Sequence, residues 1–277
     1  MTQNVNNEIV RKSRTLTRLI GALMLLVVAG GNAMAQDRPL IGGSVYGGGN
    51  EAGVKVNTAV NIYTGQVNGN VYGGGNVGSV GTYTTSDDMK SFTFTANTGT
   101  CNVTISGGTI GTGVAMSADG TFANGNVYGA GKGLDDTYWC EKAMTYKTNV
   151  TINAGTVNGT VYGGGQIGRV ENNATVTIGV ETPANNTVAP TIIGNVFGAG
   201  AGKATHGYSA LLRGDTKVTV QGNAQVGLEV FGGGEIASVG RFKIVGGLPS
   251  EPQDGGDCTV TVKGNAKIGT SATDHNV

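Results

Sequence analysis

Two pairs of neighbouring carboxylates, Asp87-Asp88 and Asp135-Asp136, are the residues of this 277-residue chain most suited to catalysis. Paired carboxylates cleave glycosidic bonds when they face each other across a sugar, one as acid and one as base or nucleophile. Neighbours in an extended segment project to opposite sides, which works against both pairs. The second pair lies in "GLDDTYWCEK", Gly133–Lys142, together with Tyr138 and the only tryptophan, Trp139. An aromatic beside carboxylates suits contact with a sugar ring. Asp135, Asp136, Tyr138 and Trp139 are therefore the candidate ligand-contact residues. The competing reading is a solvated loop anchored by one aromatic.

Other chemistry finds less support. His206 and His275 are far apart and lack partners at metal-ligand spacing, so neither a metal site nor a cofactor is expected. Gly73-x-Gly75-x-x-Gly78 and Gly163-x-Gly165-x-x-Gly168 fit the dinucleotide pattern, but a β-branched strand follows where the phosphate site needs a helix. Glycine triplets followed by Asn50, Asn76, Gln166 or Glu235 lack the regular Asp of a calcium roll. Asn102-Val-Thr104 and Asn149-Val-Thr151 read as strand residues before they read as glycosylation sites. Cys101, Cys140 and Cys258 make an odd set, which favours buried free thiols. Cys101 and Cys140 bound the same irregular region, and a pair between them stays open.

The glycines belong to a larger pattern. "SVYGGGN" begins at Ser44, "NVYGGGN" at Asn70, "NVYGAGK" at Asn126, "TVYGGGQ" at Thr160, "NVFGAGA" at Asn195 and "EVFGGGE" at Glu229. The aromatics Tyr46, Tyr72, Tyr128, Tyr162, Phe197 and Phe231 are spaced by 26, 56, 34, 35 and 34 residues. Val60–Val80 and Val150–Val170 share 13 of 21 positions. A fixed unit with tails of variable length is the mark of a stacked repeat. Within each unit the apolar residues alternate, as in Val60/Ile62, Val150/Ile152 and Val218/Val220, which predicts short strands separated by Gly- and Asn-rich turns.

One such coil cannot bury its own inner face, whereas stacked coils bury each other's at the ~4.8 Å strand spacing. Glycine, 51 of 277 residues, is expected at corners where φ turns positive or coils approach closely. The six aromatics are expected to form a structural stack. Because Val71 and Tyr72 project to opposite faces, only one of the two rows is expected inside. The aromatics are taken as core, and an outer aromatic stripe is the alternative. The longest excursions are Tyr83–Thr100, Val114–Asn124 with Gly133–Lys147, and Gly240–Asp257.

The first 35 residues read as an export signal. Arg11, Lys12, Arg14 and Arg18 precede an apolar stretch from Leu19 to Ala29, and Ala33-Met34-Ala35 is a small-x-small cleavage site before Gln36. Removing residues 1–35 leaves 14 Lys+Arg against 17 Asp+Glu, so no basic surface recommends nucleic acid.

The recurring "VYGGGN" and "VTI-x-GG" phrases resemble the Gly-rich β-solenoid passenger regions of large bacterial surface adhesins, of the autotransporter and filamentous-haemagglutinin kind. The likeness runs from about Leu40 to the C-terminus. It implies an all-β, right-handed parallel β-solenoid over residues 36–277. It also implies a non-enzymatic role: a secreted or surface scaffold, peripheral to an outer membrane at most, that contacts glycans or surface proteins. The alternative is a polysaccharide lyase or hydrolase on a β-helix. The final Asn276-Val277 repeats the "NV" before Tyr72, Tyr128 and Phe197, so a longer solenoid is expected, and open strand edges invite self-association.

Overall fold

The computed structural model describes residues 38–85, 92–118, 120–135, 142–185, 187–204, 209–245, 248–253 and 255–269. Every regular element among them is a β-strand, and most pair in parallel. The unit Pro39–Val277 is described here. Each circuit of the chain, a rung, passes through four rows.

The first row holds Thr58–Ile62, the leading parts of Thr100–Ile110 and Lys147–Val157, then Ala174–Ile178, Thr216–Val220 and Cys258–Val262. Register is kept throughout. Val60 pairs Val103, which pairs Val150, and the line continues through Val176, Val218 and Val260. β-branched residues at alternate positions favour this extended, pleated backbone. Their inward members are buried in all but the last rung, while the intervening Thr and Asn face outward.

The second row holds Leu40–Ile41, Gln66–Val67, the trailing ends of the two long strands, Thr191–Ile192, Gln225–Val226 and Lys267–Ile268. Gly65, Gly108 and Gly155 stand one residue before this row with φ of 88°, 83° and 93°, a backbone region that side chains disfavour. They turn the chain from the first row into the second.

The third row consists of six two-residue strands: Val45–Tyr46, Val71–Tyr72, Val127–Tyr128, Val161–Tyr162, Val196–Phe197 and Val230–Phe231. The fourth side is made of single bridges, Val54 to Val80 and Thr145 through Val170 and Leu212 to Val239. The "GSV" and "GRV" phrases thus contribute no strand, only one bridging residue per rung, Val80 and Val170.

The core is divided. Inward Val and Ile of the first three rows form one apolar cluster that runs through the stack. Burying each such side chain contributes roughly 1.5–3 kcal/mol. The aromatics form a second cluster on the other side of the third row. The expectation that only one of the two rows would be inside is therefore corrected: Val71 is 0% exposed and its neighbour Tyr72 is 2% exposed. Ala201 joins the ring cluster, and Gln166 and Glu235 bond the hydroxyls of Tyr72 and Tyr162, so these two-residue strands are covered on both faces.

Candidate functional site

The six rings stand in a single file. Centroid separations are 4.7 Å from Tyr46 to Tyr72, 4.8 Å to Tyr128, 4.8 Å to Tyr162, 5.3 Å to Phe197 and 4.7 Å to Phe231. The planes lie within 8° of parallel. Strand spacing sets the distance, and it falls in the range of offset-stacked pairs, each worth ~0.5–1.5 kcal/mol beyond burial. The file opens at its end, where Phe231 is 40% exposed.

Side chains from later rungs close over the hydroxyls. Tyr72 Oη donates to Gln166 Oε1 at 2.8 Å, and Tyr162 Oη donates to Glu235 Oε2 at 2.7 Å. Gln166 and Glu235 each stand four residues after a ring of the file, Tyr162 and Phe231. Each therefore reaches back two rungs. Burial pushes the phenols of Tyr72, Tyr128 and Tyr162 well above their ordinary value.

The glycine triplets are required by space. A Cβ on Gly73 would lie 2.2 Å from Gly129 O, and one on Gly163 would lie 2.1 Å from Gly198 O. Neither residue has positive φ, so the close approach of rungs, and not backbone handedness, excludes larger residues here. Three threonines cross-link the rung interior: Thr58, Thr148 and Thr216 donate to the carbonyls of Gly73, Gly163 and Gly232 at 2.6, 2.6 and 2.5 Å. Cys101 occupies the equivalent position as a buried free thiol near Thr145, and burial raises it to about 11.

A further ladder was not anticipated. The residue before each Val-aromatic pair offers a side-chain oxygen to the backbone N–H of the same position one rung on. Ser44 accepts from Asn70, Asn70 from Asn126, Asn126 from Thr160, Thr160 from Asn195, and Asn195 from Glu229, at 2.9–3.3 Å. The sequence signal was present, because every residue at this position (Ser, Asn, Asn, Thr, Asn, Glu) carries an oxygen acceptor.

The excursions attach at defined corners. From its fourth-row residue to its first inward residue, the chain advances four positions in Val54–Thr58, Val170–Ala174 and Leu212–Thr216. Two antiparallel hairpins are inserted within this corner. One pairs Tyr83–Thr85 with Phe92–Phe94, and the other pairs Phe242–Val245 with Leu248–Pro252. The first leaves at Gly81 (φ 102°) and returns at Gly99 (φ 82°); the second leaves at Gly240 (φ 102°) and returns at Gly256 (φ 95°). A Cβ on Gly81 would stand 2.5 Å from Gly99 Cα, so the two strands of the gate nearly touch. Thr100 accordingly belongs to a strand, and the first excursion ends at Gly99.

Of the candidate ligand-contact residues, Asp135 is ion-paired with Lys203 of the excursion after the Val196–Phe197 strand. Asp136, Tyr138, Trp139 and Cys140 lie outside the described residues, as do Asp87, Asp88, His206 and His275. Beneath the first hairpin, Phe92 covers the buried Arg169–Glu171 ion pair, with the guanidinium 4.8 Å from the ring centroid. Among the described residues, no three His, Cys, Asp or Glu side chains come together as a metal site. Compared with known protein families, curated proteins and solved structures, the chain matches none.

Proposed function

We propose that this chain is an exported scaffold of the adhesin-like kind, a right-handed parallel β-solenoid whose excursions meet glycans or proteins at a cell surface. One observation carries the reading. The two hairpins enter and leave through glycine gates at the same corner, and the rungs on either side keep their register. The rungs supply a constant frame, and the inserted segments supply the variable surface. Right-handedness accords with the strong preference of parallel strand crossovers. The basic and apolar N-terminal stretch with its Ala33-Met34-Ala35 site supports export.

The polysaccharide-active alternative would rely on Asp135 and Asp136. Asp135 is ion-paired with Lys203, a contact between two excursions that supports a frame-holding use of this carboxylate. The test is made in the producing cell. The reading expects the N-terminus of the mature protein at Gln36 and removal of the protein by protease added to intact cells. A cytoplasmic protein that retains Met1 would overturn export. Turnover of any polysaccharide would replace the scaffold with an enzyme.

A further inference from the structure

Two excursions inserted at different corners border one recess of about 550 Å³, within the ~300–1,000 Å³ typical of small-ligand sites. The first hairpin contributes Tyr83 at its base. The excursion that follows the Val127–Tyr128 strand contributes Leu134 and Lys142. Glu51, Val77 and Ser79 come from the turns between the third row and the fourth.

The wall is held in place. Tyr83 Oη donates to Ser79 Oγ at 3.2 Å, and that same oxygen accepts the Met144 N–H at 3.0 Å. Phe94 and Phe92 pack against the Tyr83 ring at centroid distances of 4.9 and 5.7 Å. Glu51 and Lys142, by contrast, have no ion pair or hydrogen bond among the described residues. The recess thus joins an aromatic and a Leu side chain to one spare acceptor of hydroxyl protons and one spare donor.

We infer that this recess binds the end of a neutral oligosaccharide, an inference that rests on the display reading above. A sugar offers C–H faces to Tyr83 and Leu134, hydroxyl protons to the Glu51 carboxylate and hydroxyl oxygens to the Lys142 ammonium. A wholly apolar ligand would strip water from both charges without replacing it. Glu51 and Lys142 together carry no net charge, so the recess gives the carboxylate of an acidic sugar no net attraction.

The test uses an array of neutral and acidic oligosaccharides and saturation-transfer NMR on the full chain, on Glu51→Gln and on Lys142→Met. Glu51 is exposed and Lys142 half-buried, and thermal unfolding checks that each variant is folded. The inference expects neutral sugars to bind and each substitution to weaken them at least fivefold. A chain lacking residues 241–255 should bind them unchanged. Binding that survives both substitutions, binding of acidic sugars alone, or no sugar bound would each overturn the recess. If surface proteins still bind through another excursion in that event, the display reading stands while the recess falls. Binding of neither sugars nor surface proteins would remove both.

Discussion

The Tyr162 hydroxyl donates a 2.7 Å hydrogen bond to the carboxylate of Glu235, which lies 73 residues further along the chain and two rungs away. The bond closes a buried file of rings, and it makes the file a titratable part of the fold. Tyr72, Tyr128 and Tyr162 are all shifted upward from 10.0, chiefly by burial. A group whose folded pKa is raised contributes stability that is complete below its unfolded pKa and fades as pH climbs toward the folded one. Stability should therefore be insensitive to these phenols below about pH 10 and fall steeply above it. Phenolate absorbance at 295 nm should rise together with the loss of β-sheet circular dichroism. Tyr162→Phe, which copies Phe197, should soften the alkaline transition. Ionisation of all nine tyrosines before any loss of structure would contradict a buried file.

Packing between rungs makes a sharp distinction among glycines. Gly163→Ala would drive a Cβ to 2.1 Å from Gly198 O, whereas Gly233→Ala meets nothing within 4 Å. The first substitution is expected to cost about 1–3 kcal/mol and the second to stay within about 0.5 kcal/mol. Urea unfolding of the two variants decides the point. Equal effects would mean that the triplets serve turn flexibility and not close approach.

Much of this frame was legible in the residues. Alternation at Val150/Ile152 and the repeated Val-aromatic-Gly phrase were enough to anticipate stacked parallel strands, because burial of one face forces register. The double burial of Val161 and Tyr162 was not legible. A strand's period states only that neighbours point apart, and the second cover comes from Ala201, Gln166 and Glu235, which lie beyond the strands. Gln166 and Glu235 stand out only as the residues after glycine triplets where a calcium roll has Asp, since a bond spanning two rungs leaves no local trace. The recess beside Tyr83 was hidden for the same reason: it brings together Glu51, Tyr83 and Lys142, which no periodicity connects.

The acceptor ladder beside the aromatic row gives a third expectation. Asn126 is buried, accepts the Thr160 N–H at 2.9 Å and donates to Phe122 O at 2.9 Å. Asn126→Ala leaves a buried N–H without its acceptor, which costs about 1–3 kcal/mol. Asn126→Thr restores an oxygen of the kind Thr160 already supplies one rung on, and it should recover most of that loss. Hydrogen exchange at the Thr160 amide reads the bond directly. Exchange should quicken in the Ala variant and slow again in the Thr variant, and equal protection in all three proteins would show that the ladder is incidental.

Removing a hairpin tests whether the frame is independent of what it carries. Without residues 241–255, Val239 would be followed by Gly240, Gly256, Asp257 and Cys258, which restores the four-position corner seen from Leu212 to Thr216. Gly240 and Gly256 are already close, since a Cβ on Gly240 would stand 3.1 Å from Gly256 Cα, so the join asks little of the backbone. Asp215 Oδ1, which accepts the Gly256 and Asp257 N–H groups at 3.0 and 3.1 Å, remains to fix the returning strand. The shortened protein should unfold cooperatively with a midpoint within a few degrees of the parent, because the corner it restores is one the frame already uses from Leu212 to Thr216. It should also keep protection at Val218 and Val220, which pair with the Cys258–Val262 strand. Loss of that protection would mean that the hairpin holds the last rung in place and is not a passenger on it.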